Sequence, residues 1–194
     1  MANMPHNKVN YVDFLKTVGR SKRLLRSGWV REKVKDPESV AEHSFRVGVL
    51  AMIFADKLGY KLNKEKLMKM ALLHDLGEVI TEDTVIERWD MVDLKKREEK
   101  EQKEREGIKK IFGKIDEAGT YLALYDEMIG RTSDEAQVFW QLDKLEMALQ
   151  ALEYEDEQGK SLEEFFVNAS LTNIRDSLLK ETFEKILKSR KGGK

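Results

Sequence analysis

The 194-residue sequence contains no cysteine, which excludes disulfide scaffolds, thiolate zinc sites and cysteine nucleophiles. It has only two prolines and is rich in lysine, glutamate and leucine, a composition that favours helices. An excess of one charge is also lacking, because 35 basic and 36 acidic residues give a net charge of −1. Proteins that coat nucleic acid normally carry a basic excess, so we expect no nucleic-acid polymer as a partner.

Long hydrophobic runs are missing as well. No apolar stretch approaches the ~20 residues that a membrane-spanning helix needs. The opening residues, MANMPHNKVN, lack the charged-then-apolar pattern of a secretion signal, so we expect a cytoplasmic protein that does not bind a membrane. The 41% of apolar residues excludes a polar disordered tail. A chain of this length can bury about 70% of its surface, which predicts a proper hydrophobic core.

Apolar residues recur at helical spacing, and no stretch keeps the alternation of period two that strands require. The sequence therefore predicts an all-α fold, a single-domain helical bundle over residues 1–194. We expect a core of about 11–155, with C-terminal helices in 161–188 packing on it. The predicted helical segments are 8–26, 39–58, 63–75, 91–112, 116–129, 134–157 and 161–188.

Individual residues predict where these helices begin and end. Ser39 is a candidate N-cap, because its side-chain oxygen can accept from the free backbone N–H groups of a first turn. A further helix is predicted to start at Asn63. Residues 26–30 interrupt the apolar spacing and predict a loop. Glycines predict the helix ends or bends at Gly59, Gly77, Gly130 and Gly159.

A charge-rich stretch, KKREEKEQKEREG, covers residues 95–107. Its pairs Glu99/Lys103 and Glu101/Arg105 stand at i, i+4 in the stabilising order. The signs of the charges alternate, which favours a solvated helix face over an arm that binds nucleic acid.

The residues that could carry chemistry are few. The sequence has only three histidines; His43 lies one turn into a predicted helix, and His74 lies on the apolar face of another. Asp75 directly follows His74, and Asp143 interrupts an otherwise apolar helical stripe. A buried carboxylate costs several kcal/mol unless a cation or hydrogen-bond donors compensate it. Both aspartates therefore need a partner.

Two imidazoles and two carboxylates suit a borderline or hard divalent ion such as Mn²⁺, Fe²⁺, Co²⁺, Ni²⁺ or Zn²⁺. Four such ligands leave positions open for water and a substrate oxygen, as metal-assisted hydrolysis requires. A second interpretation stays open at this point. A buried histidine is more often a hydrogen-bonded core residue than a ligand, and spacing alone does not bring three helices together.

The order and surroundings of these residues resemble the HD-domain metal-dependent phosphohydrolases, in particular the 5′-deoxynucleotidase branch. The resemblance extends from about residue 11 to 155. The matching parts are His43, His74-Asp75 and Asp143 in that order, Trp29, and the segments 37–44 (Pro-Glu-Ser-Val-Ala-Glu-His-Ser), 72–78 (Leu-Leu-His-Asp-Leu-Gly-Glu) and 142–144 (Leu-Asp-Lys).

The resemblance implies a helical HD-type fold and removal of the 5′-phosphate from deoxyribonucleoside monophosphates. It implies one divalent ion, drawn from Co, Mn, Ni, Fe, Zn or Mg. Glu78 matches the family's catalytic carboxylate, which orients or deprotonates the attacking water. From the residues alone it would be a solvated glutamate at a helix end. The implied metal ligands are His43, His74, Asp75 and Asp143.

The resemblance also implies substrate contacts. Asp83 matches the position that contacts the sugar 3′-hydroxyl, and Trp29 matches a tryptophan that disfavours a 2′-hydroxyl. Bacterial members often have arginine immediately before this tryptophan, where this chain has Gly28. Arg26 and Arg46 are the two candidates for binding the phosphate. From the residues alone, Asp83 could equally be a helix N-cap, Trp29 a core anchor and Arg46 a surface cation.

Two further functions, and a purely structural helical protein without either, stay open beside this one. The first is another HD-domain hydrolase, acting on cyclic or polyphosphorylated nucleotides. The second is a non-catalytic helical module that binds nucleotides. Helical domains of this type often pair, so we expect a homodimer, with an apolar face supplied by 134–157 or 161–188.

Overall fold

The structure is a computed structural model that describes residues 9–58, 61–81, 94–171 and 174–190. Within these ranges the regular elements are helical, apart from an isolated β-bridge between Leu25 and Ser39. The predicted all-α class is confirmed. Among the described helices, none has the length and apolar character needed to cross a membrane.

The helices follow one another along the chain, with a short 3-10 helix, Gly19–Lys22, directly after the first. They are α1 (Tyr11–Val18), α2 (Ser27–Arg31), α3 (Val40–Lys57), α4 (Lys64–Leu73), α5 (Glu78–Thr81), α6 (Leu94–Phe112), α7 (Ala118–Gly130), α8 (Asp134–Gln158), α9 (Glu163–Leu171) and α10 (Ser177–Ser189).

The predicted N-cap at Ser39 and the predicted helix start at Asn63 are both confirmed. The Ser39 hydroxyl accepts from the backbone N–H of Glu42 at 3.3 Å, and the Glu42 carboxylate accepts from the Ser39 N–H at 2.6 Å. This reciprocal capping box fixes the first residue of α3. The Asn63 side chain accepts from the Lys66 N–H at 3.0 Å and starts α4 in the same way. The two helices that carry the predicted histidine ligands are therefore fixed in register by their caps.

Several predicted boundaries are wrong, each for a local reason. Residues 26–30 were expected to form a loop, yet α2 forms there because burial of Trp29 in the core outweighs the weak local helix signal. The segment 8–26 is helical only to Val18 and then tightens into the 3-10 helix. The segment 161–188 divides into α9 and α10, because the Asp176 carboxylate caps a new helix.

The predictions that helices end at glycines have mixed outcomes. Gly159 ends α8 in the left-handed conformation, with φ of 63°, as predicted. Gly130 is still helical, and Arg131 adopts the left-handed conformation after it, with φ of 52°. Gly59 lies outside the described residues, and α3 ends with Leu58 as its C-cap.

Helix α8 lies at the centre of the described fold. It packs against α3, α4, α7, α9 and α10, and its buried side chains point in several directions. The buried apolar residues of these helices join one core cluster that extends from Trp29 to Ile186. Because α8 is enclosed on most sides, its polar residues Asp143 and Glu146 are buried too. They need charged or hydrogen-bonding partners inside the protein.

The charged helix α6 is not simply a solvated face. Ile108 and Ile111 are fully buried, and Glu104 is buried beside them. Arg105 donates to both carboxylate oxygens of Asp126 on α7, at 2.6 and 2.8 Å, which is a contact between helices. One side of this highly charged helix therefore packs on the rest of the protein.

The backbone of α6 approaches the turn after α4 very closely. A Cβ atom at Gly107 would lie 2.5 Å from the carbonyl oxygen of Gly77, and a Cβ atom at Gly77 would lie 2.5 Å from that of Glu104. Both positions therefore require glycine. The contact holds the turn that leads into Glu78, and α5 begins at that residue. Gly77 was predicted to end or bend the preceding helix, and the chain does turn there.

Replacing Gly107 with alanine should destabilise the protein by about 1–3 kcal/mol, because the added methyl group forces two backbones apart. Gly48→Ala is the matched control, since a Cβ atom there meets nothing within 4 Å and the position is inside α3. It should be neutral or stabilising by up to about 1 kcal/mol. Thermal melting followed by circular dichroism measures both. Equal melting temperatures for wild type and Gly107→Ala would contradict the close approach.

Candidate metal centre

Three elements bring the four predicted ligands together. His43 comes from α3, His74 and Asp75 from the end of α4, and Asp143 from α8. Nε2 of His43 lies 3.2 Å from Nε2 of His74 and 3.1 Å from Oδ1 of Asp143. Nε2 of His74 lies 3.0 Å from Oδ2 of Asp75 and 3.7 Å from Oδ1 of Asp143. Separations of about 3 Å are those of neighbouring ligands around an ion with bonds of about 2.1 Å.

The chemistry of these atoms fits a cation at their centre. Nδ1 of His74 lies 2.9 Å from the carbonyl oxygen of Ala71 and donates to it, so Nε2 of this ring carries a lone pair. The facing oxygens of Asp75 and Asp143 are acceptors too. His43, His74 and Asp143 are buried. Converging lone pairs away from water repel one another unless a cation or proton lies between them. Two imidazoles and two carboxylates suit a divalent ion.

The other ring nitrogen of His43 faces a second acidic group. Nδ1 lies 2.5 Å from Oε2 of Glu146, while Glu38, His43 and Glu146 together form another cluster that could hold an ion. The two glutamates already have donors, however. Oε1 of Glu38 accepts from the Trp29 indole at 2.9 Å, and Oε1 of Glu146 accepts from Nε of Arg46 at 2.8 Å. The Nε2 side of His43 is therefore the stronger candidate for a metal.

The electrostatic environment keeps the aspartates ionised. Burial raises the pKa of Asp75, but His74 and Arg26 outweigh it and hold this pKa well below its usual range. Burial also raises the pKa of Asp143, and Lys144 and His43 more than compensate, so this pKa is lowered too. Both carboxylates are thus negatively charged at neutral pH and able to bind a cation.

In the metal-free protein, His43 should make stability depend on pH. Burial and Arg26 lower its pKa, but Glu146 and Asp143 raise it further, to about 9 from 6.5. A raised pKa stabilises the folded state below pH 6.5, and this contribution, about 3 kcal/mol, is lost as the pH rises to 9. We expect the melting temperature of metal-free protein to fall over that interval.

The control for this pH effect is the same titration with Mn²⁺ present, because an ion would replace the proton on Nε2. The increase in melting temperature caused by Mn²⁺ should then be larger at pH 9 than at pH 6.5. A metal-free protein whose melting temperature stays constant or rises over this range would show that His43 is not protonated in the fold.

The predicted catalytic carboxylate, Glu78, is buried at the first residue of α5. Its backbone N–H donates to the carbonyl oxygen of Asp75 at 3.1 Å, so one tight turn joins it to two of the predicted ligands. Nζ of Lys100 lies 3.5 Å from Oε1 of Glu78 and 3.3 Å from Oε1 of Glu104. A lysine near a buried carboxylate favours its ionised form.

The predicted substrate contacts are placed differently from one another. Arg26 donates to Oδ2 of Asp75, at the edge of the group of predicted ligands. Trp29 is 2% exposed and stacks on Phe165 with the ring centroids 4.0 Å apart, so it is packed as a core residue. Its contact with a sugar stays a prediction. Asp83 lies outside the described residues.

The side chain of Arg46 is only partly exposed to solvent. Besides Glu146, it donates to Oε1 of Gln150 and, at 2.6 Å, to Oε2 of Glu153. All three acceptors belong to α8. These contacts favour a structural role between α3 and α8 over the predicted phosphate contact.

Sequence reasoning missed two residues at this centre. Glu146 follows Asp143 by three positions, so both carboxylates lie on one face of the same helix, and that spacing was a usable signal. Lys100 lies inside the charged run, where its contact with Glu78 depends on the packing of α6 against the turn after α4. No local pattern distinguishes it from the neighbouring lysines.

Comparison with known proteins identifies the family of this chain. A model of the HD domain family matches residues 18–187. The chain is 38% identical over 163 residues to 5′-deoxynucleotidase HDDC2 of Danio rerio, a match that covers 82% of this chain and 78% of that protein. It is 37% identical over 165 residues to 5′-deoxynucleotidase HDDC2 of Homo sapiens, covering 83% and 77% of the two chains.

Solved structures with the same fold include two archaeal proteins. The PH0347 protein from Pyrococcus horikoshii is 35% identical, with a TM-score of 0.73 over 92% of this chain and 96% of that one. A conserved hypothetical protein from Pyrococcus furiosus is 31% identical, with a TM-score of 0.75 over 91% and 99%. The helical fold is that of an HD domain. This chain belongs to the HD domain family.

Proposed function

We propose that this protein is a metal-dependent 5′-deoxynucleotidase, which hydrolyses deoxyribonucleoside 5′-monophosphates to deoxynucleosides and phosphate. The observation that carries the proposal is the grouping of His43, His74 and Asp75, whose ligand atoms all lie within 4.8 Å of one another. Asp143 lies beside both histidines, and Glu78 is one turn away. Relatives 37–38% identical over most of the chain bear the name 5′-deoxynucleotidase. The proposal covers the whole chain as one domain, because one core cluster extends from Trp29 to Ile186.

His43, His74, Asp75 and Asp143 would hold one divalent ion, of the group Co, Mn, Ni, Fe, Zn and Mg. Such an ion supplies a Lewis acid that neutralises charge on the phosphoryl oxygens and acidifies water. Asp75 and Asp143 supply negative charge for the ion, and their lowered pKa values keep them ionised across the neutral range. Arg26, in contact with Asp75, lies where a guanidinium group could also bind a phosphate oxygen.

Glu78 is the proposed general base. It takes a proton from the water whose oxygen forms the new bond to phosphorus. The bond between phosphorus and the 5′-oxygen breaks, and the protonated Glu78 returns its proton to that oxygen as the nucleoside leaves. Burial of Glu78 keeps bulk water from competing for the proton, and the ammonium group of Lys100 lies 3.5 Å from Oε1 of this carboxylate. Asp83 is proposed to bind the 3′-hydroxyl, and Trp29 to restrict the sugar.

Phosphate release tests this function. Purified protein would be incubated with deoxyribo- and ribonucleoside monophosphates, with each divalent ion supplied in turn. We expect release from deoxyribonucleoside monophosphates in the presence of at least one ion, and less from the ribonucleotides. Release only from cyclic or polyphosphorylated nucleotides would indicate a different HD-domain hydrolase. Nucleotide binding without release under any ion would indicate a non-catalytic module.

We further propose a homodimer that acts in the cytoplasm, a compartment that contains nucleotides. Four side chains on one face of α3, Phe45, Val49, Met52 and Ile53, form an apolar stripe at helical spacing, and Phe45 is 71% exposed. An exposed stripe on one helix suits pairing with its own copy around a two-fold axis. This face differs from the expected 134–157 or 161–188, where most apolar side chains are buried in the core.

The dimer is tested by the molar mass in solution, measured by light scattering after gel filtration. Phe45→Glu should convert a dimer into a monomer. Val167→Glu is the matched change on α9, where Val167 is 41% exposed, and it should leave the mass unchanged. If Val167→Glu dissociates the dimer and Phe45→Glu does not, the interface lies on the C-terminal helices instead of α3.

A further inference from the structure

Glu146 is a fully buried carboxylate that the proposed reaction does not use. It lies on α8 three residues after Asp143, and these two residues contact opposite nitrogens of the same imidazole. Oδ1 of Asp143 lies 3.1 Å from Nε2 of His43, and Oε2 of Glu146 lies 2.5 Å from Nδ1. Helix α8 therefore holds both sides of this ring.

The second oxygen of Glu146 is held in turn by Arg46, which follows His43 by three residues on α3. Nε of Arg46 donates to Oε1 of Glu146 at 2.8 Å, and Nη1 donates to Glu153 at 2.6 Å. The arginine therefore cannot swing away from Glu146 without leaving other acceptors on α8. A continuous chain of contacts between α3 and α8 therefore runs from Asp143 through His43 and Glu146 to Arg46.

No other described carboxylate is as well placed for Nδ1 of His43. Oε1 of Glu38 lies 3.9 Å from this nitrogen, beyond hydrogen-bond distance, and accepts from the Trp29 indole instead. A histidine that binds a metal generally donates its other N–H to a carboxylate or carbonyl, which fixes the tautomer and makes the ligating nitrogen more basic. His74 meets this condition through the carbonyl oxygen of Ala71.

We propose that Glu146, held by Arg46, is a positioning residue that orients His43 and keeps its proton on Nδ1, so that the lone pair of Nε2 faces the metal. This inference rests on the proposed function, since the ion is the one proposed above. It gives Arg46 a role that its three acceptors on α8 support, in place of a contact with phosphate.

The test measures binding of Mn²⁺ alone to metal-free, full-length protein, by the electron paramagnetic resonance signal of unbound Mn²⁺. Glu146→Gln keeps the shape of the side chain and removes its charge. It should weaken Mn²⁺ binding about 10- to 100-fold, the usual effect of losing an outer partner of a ligand. The matched control is Glu153→Gln, on the same helix and with the same arginine partner but more exposed, at 42%. It should change the affinity by less than about 2-fold.

A second readout reports on the ring itself. The chain has only three histidines, so ¹⁵N-histidine spectra of the Zn²⁺-loaded protein contain few signals. Wild type should show an exchange-protected, downfield Nδ1–H proton for His43, and Glu146→Gln should shift this proton upfield. If Glu146→Gln does not fold, Arg46→Met takes its place, and it should weaken Mn²⁺ binding several-fold. The inference is overturned if the folded variant binds Mn²⁺ as wild type does and its Nδ1–H signal is unmoved.

Failure of this inference is distinguishable from failure of the proposed function, because Mn²⁺ binding requires no substrate. Suppose that Glu146→Gln binds Mn²⁺ more weakly and that the wild type releases no phosphate. The positioning role of Glu146 would then be supported, and the proposed deoxynucleotidase activity would be overturned. Normal phosphate release by wild type, with unchanged Mn²⁺ binding in Glu146→Gln, would overturn the positioning role alone.

Discussion

Asp75→Ala should lose the divalent ion and, with it, all measurable phosphate release. Oδ2 of Asp75 lies 3.0 Å from Nε2 of His74, and the same carboxylate pairs with Arg26. Its removal deletes one ligand and leaves the Arg26 guanidinium beside the remaining ligands without its nearest anion. The positive charge then repels a cation from the site. We expect Mn²⁺ affinity to fall more than about 100-fold, beyond the effect of losing an outer contact.

Elemental analysis after dialysis, together with the phosphate-release assay, measures this result. Asp56→Ala is the control, because Asp56 is an exposed aspartate on α3 whose contact is a surface pair with Lys64 at 2.5 Å. It should keep full occupancy and turnover. Full metal occupancy in Asp75→Ala would refute the ligand assignment for this residue.

Glu78→Gln should lose turnover and keep the metal. The amide retains the size of the side chain and its place at the start of α5, but it cannot take a proton from water. General-base catalysis contributes about 10²- to 10⁴-fold, so kcat should fall by that factor while Mn²⁺ binding stays within about 10-fold of wild type. Glu78→Ala should show the same loss of turnover.

The control for Glu78 is Glu104→Gln. Glu104 is also buried and shares Lys100 with Glu78, but it lies on α6 and accepts from the Tyr125 hydroxyl at 3.3 Å. Glu104→Gln alters the charge around Lys100 without removing the proposed base, so kcat should fall far less than in Glu78→Gln. Normal turnover in Glu78→Gln would mean that another group accepts the proton.

The sequence was most informative where the signal is local. The sequence predicted the starts of α3 and α4 at Ser39 and Asn63, because a helix start depends on side chains within one turn. The set of candidate ligands came from a motif with a fixed order, and the structure brings these side chains within 3.0–3.7 Å of their neighbours. Metal binding by these residues stays a prediction until it is measured.

Features that depend on packing were beyond the reach of local patterns. Helix α2 forms because Trp29 is buried between Phe165 and Tyr154, which come from distant parts of the chain. The contact of Lys100 with Glu78 exists only because Gly77 and Gly107 allow two backbones to approach. Burial and close approach are long-range properties, so a residue's neighbours in sequence do not report them.

The predicted metal site depends on α9 and α10, although neither helix holds any of its predicted ligands, because both pack on the central helix α8. Helices α9 and α10 cover α8, and Phe165 of α9 also stacks on Trp29, whose indole holds Glu38 near His43. A protein truncated after Gly159 would keep every predicted ligand but expose the apolar residues that α9 and α10 now shield. Removal of α9 and α10 should therefore lower both the affinity for the ion and the solubility of the protein.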